Sequence, residues 1–261
     1  MRVIIKKDYH QTCKWVAEYI VNAIHRKEPT PRKPFVLGLA ASPALLGVYE
    51  ELTALHKDSQ VSFANIVTFN MSEYIGIDTA HPLSHHRFMQ TNFFQHINIK
   101  KANINILNGN AKNLERECFT YEEKLNKFGG ADLFIGDIGT DGHIAFNEPG
   151  SSLASRTRIK TLTDESIADN AKIFGSEETP RTALTVGVGT IMDSREVLIL
   201  VSGHEKARAL RDAVEGGVNH ICTVSCLQLH PHGIIACDDA ATEEMKVRTV
   251  NYFKSIEKRE I

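Results

Sequence analysis

Residues 196–202 read EVLILVS, with five apolar side chains in a row at positions 197–201. A strand with one wet face would alternate apolar and polar residues, so this run asks for cover on both faces, as in a parallel sheet flanked by helices. It leads into HEKARALRDAVEGG (204–217), whose apolar spacing is helical. The same pairing of short apolar run and helical pattern extends outward. Towards the N-terminus lie DLFIGDI (132–138), the charged helical stretch from Asn113 to Phe128, NINIL (103–107), ANIVTFN (64–70), ALLGVYEELTALH (44–56), FVLGL (35–39), a helix from about Gln11 to Arg26, and RVII (2–5). Towards the C-terminus, GIIAC (233–237) precedes a last helix from about Ala241 to Lys258. The prediction is a doubly wound α/β fold, its sheet mostly parallel with helices on both faces. Ligands in such sheets sit beyond the carboxyl ends of the strands, which directs attention to the loops after FVLGL, IVTFN, DLFIGDI and LILVS.

The chain of 261 residues, 42% hydrophobic, can bury a large core, and no linker or internal repeat divides it, so residues 1–261 are expected to form one domain. A formal charge of -2 without a run of five basic residues argues against nucleic acid. MRVIIKKDYH offers three apolar residues before its lysines, too few for a signal-peptide core, and no window has the length of a membrane span. A cytosolic protein with no membrane attachment is expected. Cysteines 13, 118, 222, 226 and 237 are odd in number and lack zinc-finger spacing, so reduced core thiols are the expectation. His220, His230 and His232 near Cys222 and Cys226 fit no tetrahedral pattern; no metal and no cofactor is expected. GVGT (187–190) reads as a turn.

GTDGHIAFNEP (139–149) places Asp141, His143 and Glu148 within eight positions. Gly139 and Gly142 permit unusual backbone angles and a tight turn. A histidine between two carboxylates is held in one tautomer and made more basic, which suits proton transfer at neutral pH. A polar turn with a capping aspartate reads equally well from D-G-H alone.

The longer string LFIGDIGTDGHIAFNEPGSSLASRTRIKTL (133–162) closely resembles the signature region of the glucosamine-6-phosphate deaminase family, and VLGL, VTFNM, NINILNGNA, TALTVGVGT and SCLQLHP extend the resemblance nearly end to end. That resemblance implies a Rossmann-like sheet, a homo-oligomer (a hexamer in the allosteric bacterial members) and a hydrolase of amino-sugar metabolism. The family reaction converts glucosamine 6-phosphate and water into fructose 6-phosphate and ammonia. It further implies that His143 opens the sugar ring with help from Asp141 and Glu148. A carboxylate must then carry the proton from carbon 2 to carbon 1. The family supplies it from FNMDEY, whereas residues 69–74 here read FNMSEY, placing Ser72 at the base position. A serine hydroxyl is not ionised near neutral pH. Glu73 is a candidate substitute, though the family already has glutamate there, which points to structural duty.

Other departures cluster nearby. The phosphate loop of the family, P-T-G-G-T-P or P-T-G-S-T-P, is replaced by AASPAL (40–45), where Pro43 has no N–H and Ala44 no hydroxyl. Ser42 and the helix start could keep weak anion affinity. GDIG (136–139) puts Asp137 where the family has glycine, either obstructing the ligand or serving as a displaced base. HPLSH (81–85) replaces HPESY. Lys206 in GHEKA matches a phosphate-binding lysine, and Lys172 stands for an arginine, keeping the charge without the bidentate fork.

The inter-subunit site of the allosteric members, which binds N-acetylglucosamine 6-phosphate, is matched throughout by Met1, Ser151, Ser152, Arg158, Lys160, Thr161 and Tyr252. Arg158 and Lys160, two apart in an extended segment, would share a face and could clamp a phosphate; a solvated basic loop is the plain alternative. Three readings follow: a catalytically impaired relative that binds an amino-sugar phosphate as sensor or as regulatory partner of an active paralogue, a fully active deaminase tolerating the changes, or altered chemistry on a sugar without phosphate. The residues carry no positive sign of the third.

Overall fold

The computed structural model describes residues 1–174 and 179–257, without the side chains of Asp169, Lys172 and Ile173. In chain order the elements are β1 (Arg2–Lys6), α1 (Tyr9–Lys27), β2 (Phe35–Leu39), α2 (Leu46–Lys57), β3 (Ile66–Asn70), β4 (Ser72–Tyr74), α3 (His85–Asn92), β5 (Ile104–Asn105) and α4 (Leu114–Lys127). They continue with β6 (Leu133–Asp137), β7 (Arg158–Thr161), α5 (Asp164–Phe174), β8 (Thr182–Thr185), α6 (Val188–Met192), β9 (Glu196–Val201), α7 (Ala207–Glu215), β10 (Gly233–Asp238) and α8 (Val247–Glu257).

Seven strands form one sheet in the order β1-β10-β9-β6-β2-β3-β5, and every neighbouring pair is parallel. All residues of β2, β3 and β10 are buried, as the unbroken apolar runs require when both faces are covered. From β2 the chain winds out through β3 to β5, then returns to β6 on the other side of β2 and proceeds to β9 and β10. The loops leaving β2 and β6 therefore part in opposite directions and open a crevice at the carboxyl ends of the strands.

Local signals explain most boundaries. The Asp8 side chain accepts the Gln11 N–H to start α1, and Asn113 does the same for Arg116 at the start of α4. Two expected elements shrink for local reasons. NINIL keeps only Ile104–Asn105 as strand because Lys101–Asn103 form a 3-10 turn and the Asn103 amide bonds the Ile66 carbonyl at 3.0 Å. The last helix starts at Val247, since Ala241 donates its N–H to Asp238 Oδ1 at 2.9 Å within a separate turn, and Lys258 lies outside the described residues. The five cysteines are buried and unbridged, and His230 is a core histidine bonded to the Ser194 carbonyl at 2.9 Å.

The apolar runs give no sign of a second, smaller sheet. β4, β8 and β7 form it, antiparallel throughout, and its register aligns Ser72, Thr185 and Arg158 in a single cross-strand row.

Candidate active site

The loops after β2, β3, β6 and β9 converge, as the strand pattern led us to expect, around two adjoining cavities of about 850 and 190 Å³ that share Ser42, Asp137 and His143. The loop after β6 carries the central group. His143 Nδ1 lies 2.7 Å from Asp141 Oδ1, and that carboxylate also accepts the His143 N–H at 3.0 Å. Ligand atoms of Asp141, His143 and Glu148 all fall within 4.8 Å of one another. Such a set could hold a divalent cation, but the Asp141–Nδ1 hydrogen bond already orients the ring for proton transfer and leaves Nε2 as its other proton site. Glu148 is buried, with Thr163 Oγ1 3.2 Å from one of its carboxylate oxygens.

The two glycines of the motif act differently. Gly142 has φ +84°, a left-handed turn that a side chain rarely tolerates. Gly139 is needed for space instead, since a Cβ there would stand 2.4 Å from the His143 ring. Burial pushes the His143 pKa down, but the hydrogen bond and charge of Asp141, helped by Glu148 and Asp137, outweigh it and hold the imidazole above its ordinary value. Burial likewise raises Asp141, and the His143 contacts more than reverse it, leaving the carboxyl below its ordinary value.

Ser72 opens β4 and is buried, its Oγ 3.1 Å from His85 Nδ1. The same Nδ1 is 2.8 Å from the Ser72 carbonyl, to which it donates, so Nε2 is the basic atom of that ring. Tyr74 and Phe146 fix the imidazole, with centroids 4.9 and 5.7 Å away. Sequence reasoning does not single out His85; the available signal is the altered HPLSH segment, which by itself says only that a loop has changed. Glu73 faces another way. Its carboxylate accepts the N–H groups of Tyr74, His85 and His86 at 2.8–3.0 Å and thereby pins β4 to the start of α3.

The turn after β2 has few amides to offer. Pro43 has none, Ala44 donates to Ser42 Oγ at 3.2 Å, Leu45 to the Ser42 carbonyl at 3.0 Å, and Gly47 to the Tyr9 hydroxyl at 2.9 Å. Asp137 ends β6 with its Oδ2 2.8 Å from Ser42 Oγ and 3.4 Å from Lys206 Nζ. The structure thus brings Ser42 and Lys206 together, but onto a carboxylate of the chain itself. The Lys172 side chain lies outside the described residues.

The residues expected at an interface are dispersed within one chain. Arg158 and Lys160 do share a face of β7, where burial alternates, and Arg158 Nη1 is held by Asn147 Oδ1 at 2.9 Å. Ser151 is buried with an unpartnered hydroxyl, while Ser152 and Thr161 are exposed. β7 packs against β8 and α4, whereas Tyr252, exposed on α8, belongs with β1 and Met1 at the far edge of the large sheet.

Residues 7–233 match the family described as glucosamine-6-phosphate isomerases/6-phosphogluconolactonase. The chain is 57% identical over 260 residues to a glucosamine-6-phosphate deaminase of Phocaeicola vulgatus, covering 99% of both chains. It is 57% identical over 263 residues to one of Treponema denticola, covering 100% of this chain and 97% of the relative. Among solved structures, a monomeric glucosamine-6-phosphate deaminase superposes with TM-score 0.88 at 38% identity, over 92% of this chain and 98% of the other. These names describe isomerisation and deamination, so the expected word hydrolase was a loose one.

Proposed function

This chain belongs to the glucosamine-6-phosphate isomerase/6-phosphogluconolactonase family, among its glucosamine-6-phosphate deaminases, and from that premise we propose a member that keeps the ring-opening apparatus and has strongly reduced deamination. In the family reaction the sugar ring opens, the proton on carbon 2 is carried to carbon 1, and water releases ammonia from the resulting imine. Asp141, His143 and Glu148 suit the first step, His143 exchanging a proton at Nε2 with the ring oxygen while Asp141 holds Nδ1.

The observation that carries the proposal is that no carboxylate among the described residues is available for the second step. Ser72 occupies the position, and Glu73 is engaged with three backbone amides. Among the described residues lining the small cavity beside Ser72, the one carboxylate is Asp137, bound to Ser42 and Lys206. Loss of a positioned general base costs about 100 to 10,000-fold in rate. Side-by-side assay of ammonia release from glucosamine 6-phosphate should place this protein at least that far below the Phocaeicola vulgatus relative; matching rates would reject the reading. Ser72→Asp is expected to rescue poorly, because the amides of the loop after β2 stay engaged.

The second reading, an undiminished deaminase, is favoured by one observation. The His85 ring abuts Ser72, lines the same small cavity as His143, and could serve as base through Nε2. In that case His85→Phe would abolish turnover.

For the remaining role, Arg158 and Lys160 on one face of β7 support binding of an amino-sugar phosphate such as N-acetylglucosamine 6-phosphate. Because Met1 and Tyr252 lie at another edge of the chain, that site requires an oligomer, a homohexamer or an assembly with an active paralogue.

A further inference from the structure

The expected phosphate position is already filled by the protein's own anion. Asp137 Oδ2 takes the Ser42 hydroxyl at 2.8 Å and the Lys206 ammonium at 3.4 Å, two groups an incoming phosphate would need. Backbone capture is closed as well. From position 43 to 47 the turn presents a proline and then amides already donating to Ser42, to Pro43 or to Tyr9. A dianion would have to displace a carboxylate and settle beside it, against a repulsion that a half-buried site screens poorly.

The wider cavity has the same sign. Its described lining includes the half-buried carboxylates of Asp137 and Asp141 and the exposed ones of Glu50, Glu165 and Glu205, against Lys206 and the His143 imidazole that Asp141 already engages. Such a field disfavours phosphate and favours a cationic or neutral ligand. An amino sugar carrying an ammonium and a free hydroxymethyl group has that character. A hydroxyl at carbon 6 could share hydrogen bonds with Asp137 and Ser42 without adding charge.

We propose that this pocket takes an amino sugar with a free hydroxyl at carbon 6 in preference to its 6-phosphate, the Asp137 carboxylate standing in for the phosphate. The proposal rests on the family reading of the pocket as an amino-sugar site and deepens it by naming the substrate class. It also gives the missing phosphate loop a reason: a ligand without phosphate has no use for one.

The test is calorimetric titration of the full chain with glucosamine and with glucosamine 6-phosphate, in an Arg158→Ala background that removes the proposed interface site. Glucosamine should bind at least about tenfold more tightly than its 6-phosphate, and inorganic phosphate should not displace it. Asp137→Gly, which frees Ser42 and Lys206, should reverse the preference, and the near-isosteric Asp137→Asn should shift it the same way if the glycine variant proves unstable. Tighter binding of the 6-phosphate by the unaltered pocket, no binding of glucosamine, or an unchanged preference in both Asp137 variants would overturn the proposal. Slow deamination of glucosamine 6-phosphate together with its tighter binding would leave the proposed function standing and reject this inference alone. Rapid deamination of glucosamine but not of its 6-phosphate would keep the inference and reject impaired catalysis.

Discussion

His143 is held above its ordinary value of 6.5 and Asp141 below its ordinary 3.8, and the two shifts describe one interaction seen from both ends. The raised histidine contributes stability fully below 6.5, lost as pH rises through its higher folded value; the depressed aspartate contributes fully above 3.8, lost as pH falls through its lower folded value. The pair therefore stabilises the fold most between those two ordinary values. Asp141→Asn should flatten that dependence in urea titrations run across pH and should lower the His143 midpoint followed by proton NMR; an unmoved midpoint would mean that the carboxylate does not set the ring's basicity. At this scale Asp141, His143 and Glu148 were legible because they sit in one short loop. His85 was not, since its meeting with Ser72 depends on how the loop before α3 folds back onto β4.

Elements turn these contacts into a site. Glu73 joins β4 to α3 through three amide hydrogen bonds, and it is this join that sets His85 against Ser72. Glu73→Ala would leave buried donors unsatisfied at a helix start and should cost about 1–3 kcal/mol in equilibrium unfolding. Retention of full stability would mean that Glu73 is free for chemistry. The small antiparallel sheet has a second consequence, because its cross-strand row joins Ser72 through Thr185 to Arg158. A position in the pocket and a position on the proposed phosphate clamp thus ride on the same three strands. Strands of three or four residues carry too little alternation to be recognised in isolation, which is why this sheet escaped the periodicity that revealed the large one.

Across the whole molecule, a site shared between subunits requires a particle heavier than one chain. Ile221, Leu229, Val247 and Tyr252 are 58 to 75% exposed in the single chain, and Tyr252 lies on α8, which packs with β1 of the large sheet, while Arg158 lies on β7 of the small one. Light scattering should give a multiple of 29.1 kDa; a single-chain mass would remove the basis for an interface site. N-acetylglucosamine 6-phosphate should raise the melting temperature of the assembly, and Arg158→Ala should abolish the rise. The amino-acid sequence by itself determined the parallel sheet and which loops meet at the candidate site, because unbroken apolar runs need cover on both faces and loops at the strand ends must converge. It also marked position 72 and residues 40–45 as departures from the motifs of the resemblance, since a carboxylate or an amide that is not there is a property of single residues. Only the tertiary structure decided what replaced them. Asp137 meets Ser42 and Lys206 across 95 and 69 residues of chain, and whether an acid in such a place blocks, catalyses or neutralises depends on distances of about 3 Å that local sequence pattern does not encode.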